Sequence, residues 1–344
     1  MLKGDLRAGS PARGNKVNTT ILHQLQYPSG LFAAAKPLSN TGYHLSWIRD
    51  NLYALLGFEA TGQYEIVVHT MHALLDLFKK HEYKIDWMIK QPEPKHHWRY
   101  IHARYEPLTG EEIHDNWGNK QNDAIGLFLF KIGQLETSGI KILRTAQDKQ
   151  LIQKIVEYLA AIEYWHDNDN GIWEQAEDLH ASSIGACVAG LEAVKNSVVV
   201  PEELIQKGRT ALDRLLPNET PSRTTDLALL SLIYPLNIVS EQQRELILQR
   251  VETLVRERGV IRYSGDHYYK TDVGEAEWTL GLCWLAIIYK HQGILHKHAF
   301  YARKARDAMN ENNELPELYY AGTKLYNDNC PLAWAQSLWV VANT

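Results

Sequence analysis

The stretch Trp278-Thr279-Leu280-Gly281-Leu282-Cys283-Trp284-Leu285-Ala286-Ile287-Ile288 puts apolar side chains on every side of a helix. A helix with no polar face has nothing to offer water and is buried whole. Residues 332–341 repeat the pattern with Leu332, Trp334, Leu338, Val340 and Val341. Outward from these two stretches, other segments keep one polar face. Ile152, Ile155, Val156, Leu159 and Ile162 recur at helical spacing between charged residues, and 240–256 is amphipathic too. The helical period continues through 46–61, 65–90, 123–135, 184–191, 226–235 and 296–309. Pro201 followed by Glu202 and Glu203 opens one helix. Ser240 with Gln243 makes a capping box for a helix expected to stop near Gly259, and a further helix stops at Gly293. About a dozen helices and almost no strands are predicted. Fully apolar helices alternating with half-apolar ones predict an all-α fold of two concentric rings, an inner barrel inside an outer one. No Gly/Ser/Pro-rich linker divides the chain, so 17–344 reads as one domain behind a polar tail over 1–16.

Composition narrows the function classes. With 45% apolar and 22% charged residues, the 344-residue chain is that of a folded globular protein. A net charge of −5 and no long basic run argue against nucleic acid as the main partner. No stretch is long and apolar enough to span a membrane. The basic, Gly-rich start lacks an apolar signal core, so a cytoplasmic location is the default expectation. Cys187, Cys283 and Cys330 fall within apolar helical patterns and read as buried free thiols, with no disulfide framework and no metal-ligand spacing. Ten tryptophans and 18 tyrosines are either core or stacking platforms for sugars.

Four polar-aromatic clusters interrupt the helices. In Asn168-Asp169-Asn170-Gly171-Ile172-Trp173-Glu174, turn formers end a helix and a carboxylate follows an indole. Glu174 reads either as the cap of the next helix or as a carboxyl whose pKa is raised beside Trp173, as a general acid needs. In Gly42-Tyr43-His44-Leu45-Ser46-Trp47-Ile48-Arg49-Asp50, the adjacent donor Arg49 and acceptor Asp50 either link charges at a helix start or hold two neighbouring sugar hydroxyls. The third cluster, residues 116–123, contains Trp117 and ends at Asp123, a possible cap. The fourth is Leu315-Pro316-Glu317-Leu318-Tyr319-Tyr320. The longest non-helical stretch, 91–122, carries Trp98, Tyr100, His102, Arg104, Tyr105, Asp115 and Trp117, the composition of a polyol-binding loop. Glu277, beside Glu275 and just before the buried helix, reads either as a pocket residue or as an acid at a helix N-terminus.

From about Tyr27 to the C-terminus these motifs follow the order of a known family. The chain resembles glycoside hydrolase family 15, the glucoamylases, together with the related alpha and beta regulatory subunits of phosphorylase kinase. The resemblance implies an (α/α)6 barrel. It implies that Arg49 and Asp50, after Trp47, bind the nonreducing glucose, and that Trp117 stacks near the cleaved bond. Gly171-Ile172-Trp173-Glu174 matches the segment carrying the general acid, and Pro316-Glu317 the segment carrying the catalytic base. Arg262-Tyr263, followed by Tyr268-Tyr269, matches a segment of the substrate pocket, and residues 331–337 match the final helix. Leu318-Tyr319-Tyr320, residues 101–105 and Glu277-Trp278 stand closer to the kinase subunits, which are regulatory.

The resemblance therefore leads to an inverting, exo-acting hydrolase that releases β-glucose from α-glucans or short α-glucosides. Glu174 would protonate the leaving oxygen and Glu317 would deprotonate the attacking water. Inverting pairs stand roughly 6.5–9.5 Å apart to admit that water. Glu174 is expected in the more apolar surroundings, and Glu317 beside groups that keep it ionised. Arg49, Asp50 and Arg262 would orient the sugar, while Trp117 and Trp173 would stack on it. No metal or cofactor is implied. The second reading is a noncatalytic carbohydrate-binding regulator. No starch-binding module, regulatory extension or prenylation motif is apparent.

Overall fold

A computed structural model describes residues 19–36, 41–115 and 117–344. The tail expected over 1–16 lies outside the described residues, as does Asn116. Thirteen α-helices form among the described residues. In chain order they are α1 (Thr20–His23), α2 (Ile48–Ala60), α3 (Tyr64–Lys80), α4 (Glu82–Lys90), α5 (Asn122–Thr137), α6 (Ala146–Ala161) and α7 (Ala181–Val194). Then follow α8 (Glu202–Leu215), α9 (Leu230–Ile233), α10 (Glu241–Glu252), α11 (Thr279–His291), α12 (Leu295–Asp307) and α13 (Ala333–Asn343).

Helices α2, α5, α7, α9, α11 and α13 pack side by side in that order, and α13 returns onto α2 to close an inner ring. Helices α1, α3, α6, α8, α10 and α12 lie outside it, with α4 wedged between α3 and α6. This is an (α/α)6 barrel. The sequence pattern explains the layering. In α11 every residue from Thr279 to Tyr289 is buried. In α8 only Leu204, Ile205, Gly208, Leu212 and Leu215 are, one stripe facing inward. Each fully buried Leu or Ile is worth about 1.5–3 kcal/mol. Inner neighbours α5 and α7 approach until their backbones touch. A Cβ at Gly126 would stand 2.3 Å from the Ala186 carbonyl carbon, and one at Gly190 2.4 Å from the Gly126 oxygen.

Four two-residue strands tie long loops to the starts of inner helices. β1 (Ser46–Trp47) runs into α2 and pairs antiparallel with β2 (Arg104–Tyr105), Trp47 opposite Arg104. β3 (Glu277–Trp278) runs into α11 and pairs with β4 (Leu318–Tyr319), Trp278 opposite Leu318. The two pairs fix the 91–122 loop and the loop after α12 against one end of the inner ring.

Several boundaries differ from the sequence reading. The helical period over 65–90 is cut at His81, whose ring nitrogen meets the Gly110 carbonyl at 2.7 Å. The capping box at Ser240 and Gln243 forms, but α10 ends at Glu252 rather than near Gly259. Gly259 instead lets two backbones meet, since a Cβ there would lie 2.5 Å from the Glu277 carbonyl carbon. Cys187 and Cys283 are buried free thiols on α7 and α11, whereas Cys330 is only half-buried in the loop before α13. Its apolar neighbours belong to the helix that begins three residues later.

Candidate active site

A cavity of about 500 Å³ opens at the end of the barrel where α2, α11 and α13 begin. Its walls include Tyr43, Trp47, Arg49, Asp50, Arg104, Trp117, Trp173, Glu174, Arg262, Tyr268, Trp278, Glu317 and Trp334. Helix N-termini carry positive partial charge, so this end of the ring favours carboxylates. The polar residues come from helix starts, from the two loops that the strand pairs hold down, and, for Glu174 and Arg262, from the connections before α7 and α11; the indoles come from the same segments.

Glu174 reaches the cavity from the turn between α6 and α7. Gly171 and Glu174 both take left-handed backbone, at φ 61° and 59°. Gly171 also lies against His180, whose ring would be 2.8 Å from a Cβ. One Glu174 oxygen accepts from Arg49 Nη2 at 2.8 Å, the other from Trp117 Nε1 at 3.1 Å. Burial pushes the carboxyl above its ordinary range, and Arg49 and Arg104 pull it back. The apolar surroundings expected for Glu174 are therefore not what it has. Arg49, in the first turn of α2, bonds it directly, and burial alone lifts it. Arg49 is itself anchored on α5 and the residue before it, donating to Gln121 at 2.8 Å and to Asp123 at 3.2 Å.

Glu317 stands just before β4 and is 1% exposed. Its carboxylate accepts from Tyr43 Oη at 2.7 Å, from Asn329 Nδ2 at 2.7 Å, and from the Asn327 amide. Burial raises this carboxyl too, while Asn329, Tyr43 and Asn327 stabilise its ionised form. Asp50 feels both carboxyls: burial and the charges of Glu174 and Glu317 push it up to about 7, against the pull of Arg49. Arg262 makes a bidentate pair with Asp266 at 2.6 and 2.7 Å and faces the rings of Tyr268 and Trp278, each 4.8 Å away. Trp173 is held by its N–H on Asp226 at 2.8 Å.

The cavity thus brings together Trp47, Arg49, Asp50, Trp117, Trp173, Glu174, Arg262 and Glu317. Glu277 is not among the side chains that line it. Neighbouring side chains on a strand point to opposite faces, so Trp278 faces the cavity and Glu277 turns away. There its carboxylate accepts the Arg258 backbone N–H at 2.7 Å. Arg104 enters from the 91–122 loop expected to bind polyols, whereas Tyr43, Asn327 and Asn329 are site residues the sequence motifs do not single out. Tyr43 sits in the same cluster as Arg49. Asn327-Asp328-Asn329 repeats the polar-turn composition of Asn168-Asp169-Asn170, a signal that was there to be read.

A barrel of this kind with carboxylates and indoles converging at one end defines the architecture of the (α/α)6 glycosidases. The chain belongs to the glycosyl hydrolases family 15, whose family model matches residues 14–342. Among curated proteins it is similar to a probable phosphorylase b kinase regulatory subunit alpha of Drosophila melanogaster, 26% identical over 94% of this chain and 31% of that protein. The chain spans about a third of the length of such relatives. Among solved structures it is similar to a glycosidase variant in complex with glucose, with a TM-score of 0.77, 18% identity, and 94% and 93% of the two chains covered. A bacterial glucoamylase complexed with acarbose follows at a TM-score of 0.68 and 15% identity, covering 94% of this chain and 53% of that one. No helix among the described residues is long and apolar enough to cross a membrane.

Proposed function

We propose that this protein is an inverting, exo-acting α-glucoside hydrolase that releases β-glucose from the nonreducing end of α-glucans or short α-glucosides. The observation that carries the reading is that Glu174 and Glu317, from loops far apart in sequence, line one cavity with Asp50. Glu174, lifted by burial, gives its proton to the glycosidic oxygen. Glu317, held by three hydrogen-bond donors, takes a proton from the water that attacks the opposite face. Arg49, Asp50 and Arg262 orient the terminal sugar, and Trp47, Trp117 and Trp173 enclose it. A single domain over 17–344 and a cytoplasmic location complete the proposal, the latter supported by three free cysteines. The test is incubation with maltose, isomaltose, trehalose and maltotriose, with product followed by NMR. Initial β-glucose supports the reading, and initial α-glucose or no glucose sinks it.

Two observations favour a second reading, a noncatalytic carbohydrate-binding regulator. The curated relatives are kinase regulatory subunits, and Arg49 already occupies Glu174. Glucose binding by calorimetry without turnover of any of the four sugars would select it.

A further inference from the structure

Arg104 lines the cavity, yet no step above uses it. Three restraints hold it there. The β1–β2 register sets it opposite Trp47. Its Nη2 donates to Asp115 at 2.6 Å. Its guanidinium lies over two indoles, 4.3 Å from the ring of Trp117 and 5.2 Å from that of Trp47. The Nε–H is buried without a hydrogen-bond partner among the described residues, so the group is placed for its charge against the rings rather than for a full set of hydrogen bonds. Trp117 in turn donates its N–H to Glu174. Two other rings pack on Trp117: that of Trp47 edge-on at 6.0 Å, and that of His102 at 5.8 Å, which is kept neutral by burial and by Lys84, at about 3. Arg104 is therefore the cation on this indole among the described residues.

We infer that Arg104 is a positioning residue for the acid: by lying on the face of Trp117 it strengthens the hydrogen bond that the indole N–H gives to Glu174. A cation over an aromatic face draws on the π density, which leaves the N–H more positive and a better donor. A better donor favours the ionised carboxyl and fixes the oxygen that Arg49 does not hold. The charged and titratable groups around Glu174 are Arg49 on α2, Arg104 on β2, Asp50 beside Arg49, Tyr43, and Glu317 across the cavity. Of these, only Arg104 acts through Trp117. The inference rests on Glu174 being the acid of the proposed reaction.

Arg104→Gln removes the cation, so Glu174 should hold its proton to higher pH. The alkaline limb of kcat/KM on maltose, which reports the free enzyme's acid, should then move upward. Arg104→Lys, which keeps the charge, should move it less. In a Trp117→Phe background, which keeps an aromatic face but has no N–H, the Arg104→Gln displacement should shrink to under half. Equal displacement in both backgrounds would overturn the inference in favour of charge acting through space. A raised KM with an unmoved profile would make Arg104 a sugar contact, and a uniform loss of kcat with an unmoved profile would make it a fold support. Either outcome overturns the inference. The same comparison can be read without turnover, by titrating the 13C-labelled Glu174 carboxyl, assigned through its loss in Glu174→Gln. Absence of hydrolysis on every α-glucoside would therefore defeat the proposed function, while the titration still decides the role of Arg104.

Discussion

Glu174 is one of five non-glycine residues with positive φ among the described residues, and it faces the cavity. A side chain in that backbone region costs on the order of 1–3 kcal/mol and persists only where its surroundings enforce it. Here Arg49, Trp117 and the turn at Gly171 do so. If Glu174 is the acid, Glu174→Gln should lower kcat on maltose by about 10²–10⁴-fold. A fluoride or aryl glycoside, whose leaving group needs little protonation, should recover much of that loss. Glu317→Gln should not be recovered in that way, because the water still lacks its base. Full activity on maltose in both variants would remove the assignment. Asp50 makes a separate prediction. Burial pushes its carboxyl up to about 7, and if Asp50 holds a sugar hydroxyl as proposed, it is the better acceptor when ionised. Glucose binding by calorimetry should therefore weaken as pH falls from 8 to about 5.5. In Asp50→Asn, binding should be weak throughout and flat with pH. A wild-type profile that is already flat would rule Asp50 out as the titrating contact.

At the scale of elements, packing decides what the loops can do. Gly126 and Gly190 let α5 and α7 touch, and the first turn of α5 holds Asp123, the partner of Arg49. Gly126→Ala should force the two helices apart and cost about 1–3 kcal/mol in urea unfolding, as overpacking does. It should also lower turnover by displacing Arg49. An unchanged midpoint would mean that the two backbones have room to separate. Ser240→Ala, far from the cavity, should cost about 1 kcal/mol by removing the cap of α10, with no effect on turnover. The inner helices were legible because α11 and α13 have no polar face. The breaks were not. Nothing in the period over 65–90 announces His81, because its partner, the Gly110 carbonyl, lies on another loop. Gly259 looked like a helix stop, since a glycine required by a distant backbone has the same local signature as one required by a cap. Glu277 misled for a related reason: which of two adjacent residues faces the cavity is set by pairing with Leu318 and Tyr319 forty residues on. Arg49, Asp50, Glu174 and Glu317, which line one cavity, were legible only through the order of their motifs along the chain, because each taken locally reads equally as a charge at a helix end. Asn327 and Asn329 were passed over because an isolated asparagine turn is common.

For the whole molecule, the buried carboxyls behind the cavity set how stability should follow pH. Asp226 holds the Trp173 indole and Arg223, while Glu219 accepts from Ser182 at the start of α7. Burial and the charge of Asp226 push Glu219 well above the usual carboxyl range, and burial raises Asp226 too. Asp50 stands at about 7. In each case the folded form binds its proton more tightly than the unfolded chain, where carboxyls titrate near 4. Between the unfolded value and the raised one the folded state holds more protons, so stability falls as pH rises from about 4 through about 7. His180 acts in the same direction. Burial opposes its charge, but Asp169 at 2.9 Å lifts it to about 9. Its contribution is complete below the unfolded histidine value of about 6.5 and disappears as pH rises through 9. Thermal unfolding should therefore give a higher Tm at pH 5.5 than at pH 8.5. Glu219→Gln keeps the shape and an acceptor for Ser182 but has no charge to bury, so it should flatten the decline by raising Tm mainly at pH 8.5. If the wild-type Tm is instead higher at pH 8.5, these carboxyls are ionised in the fold and paired well enough to repay their burial. His180 and Arg223 would then be the groups that neutralise them.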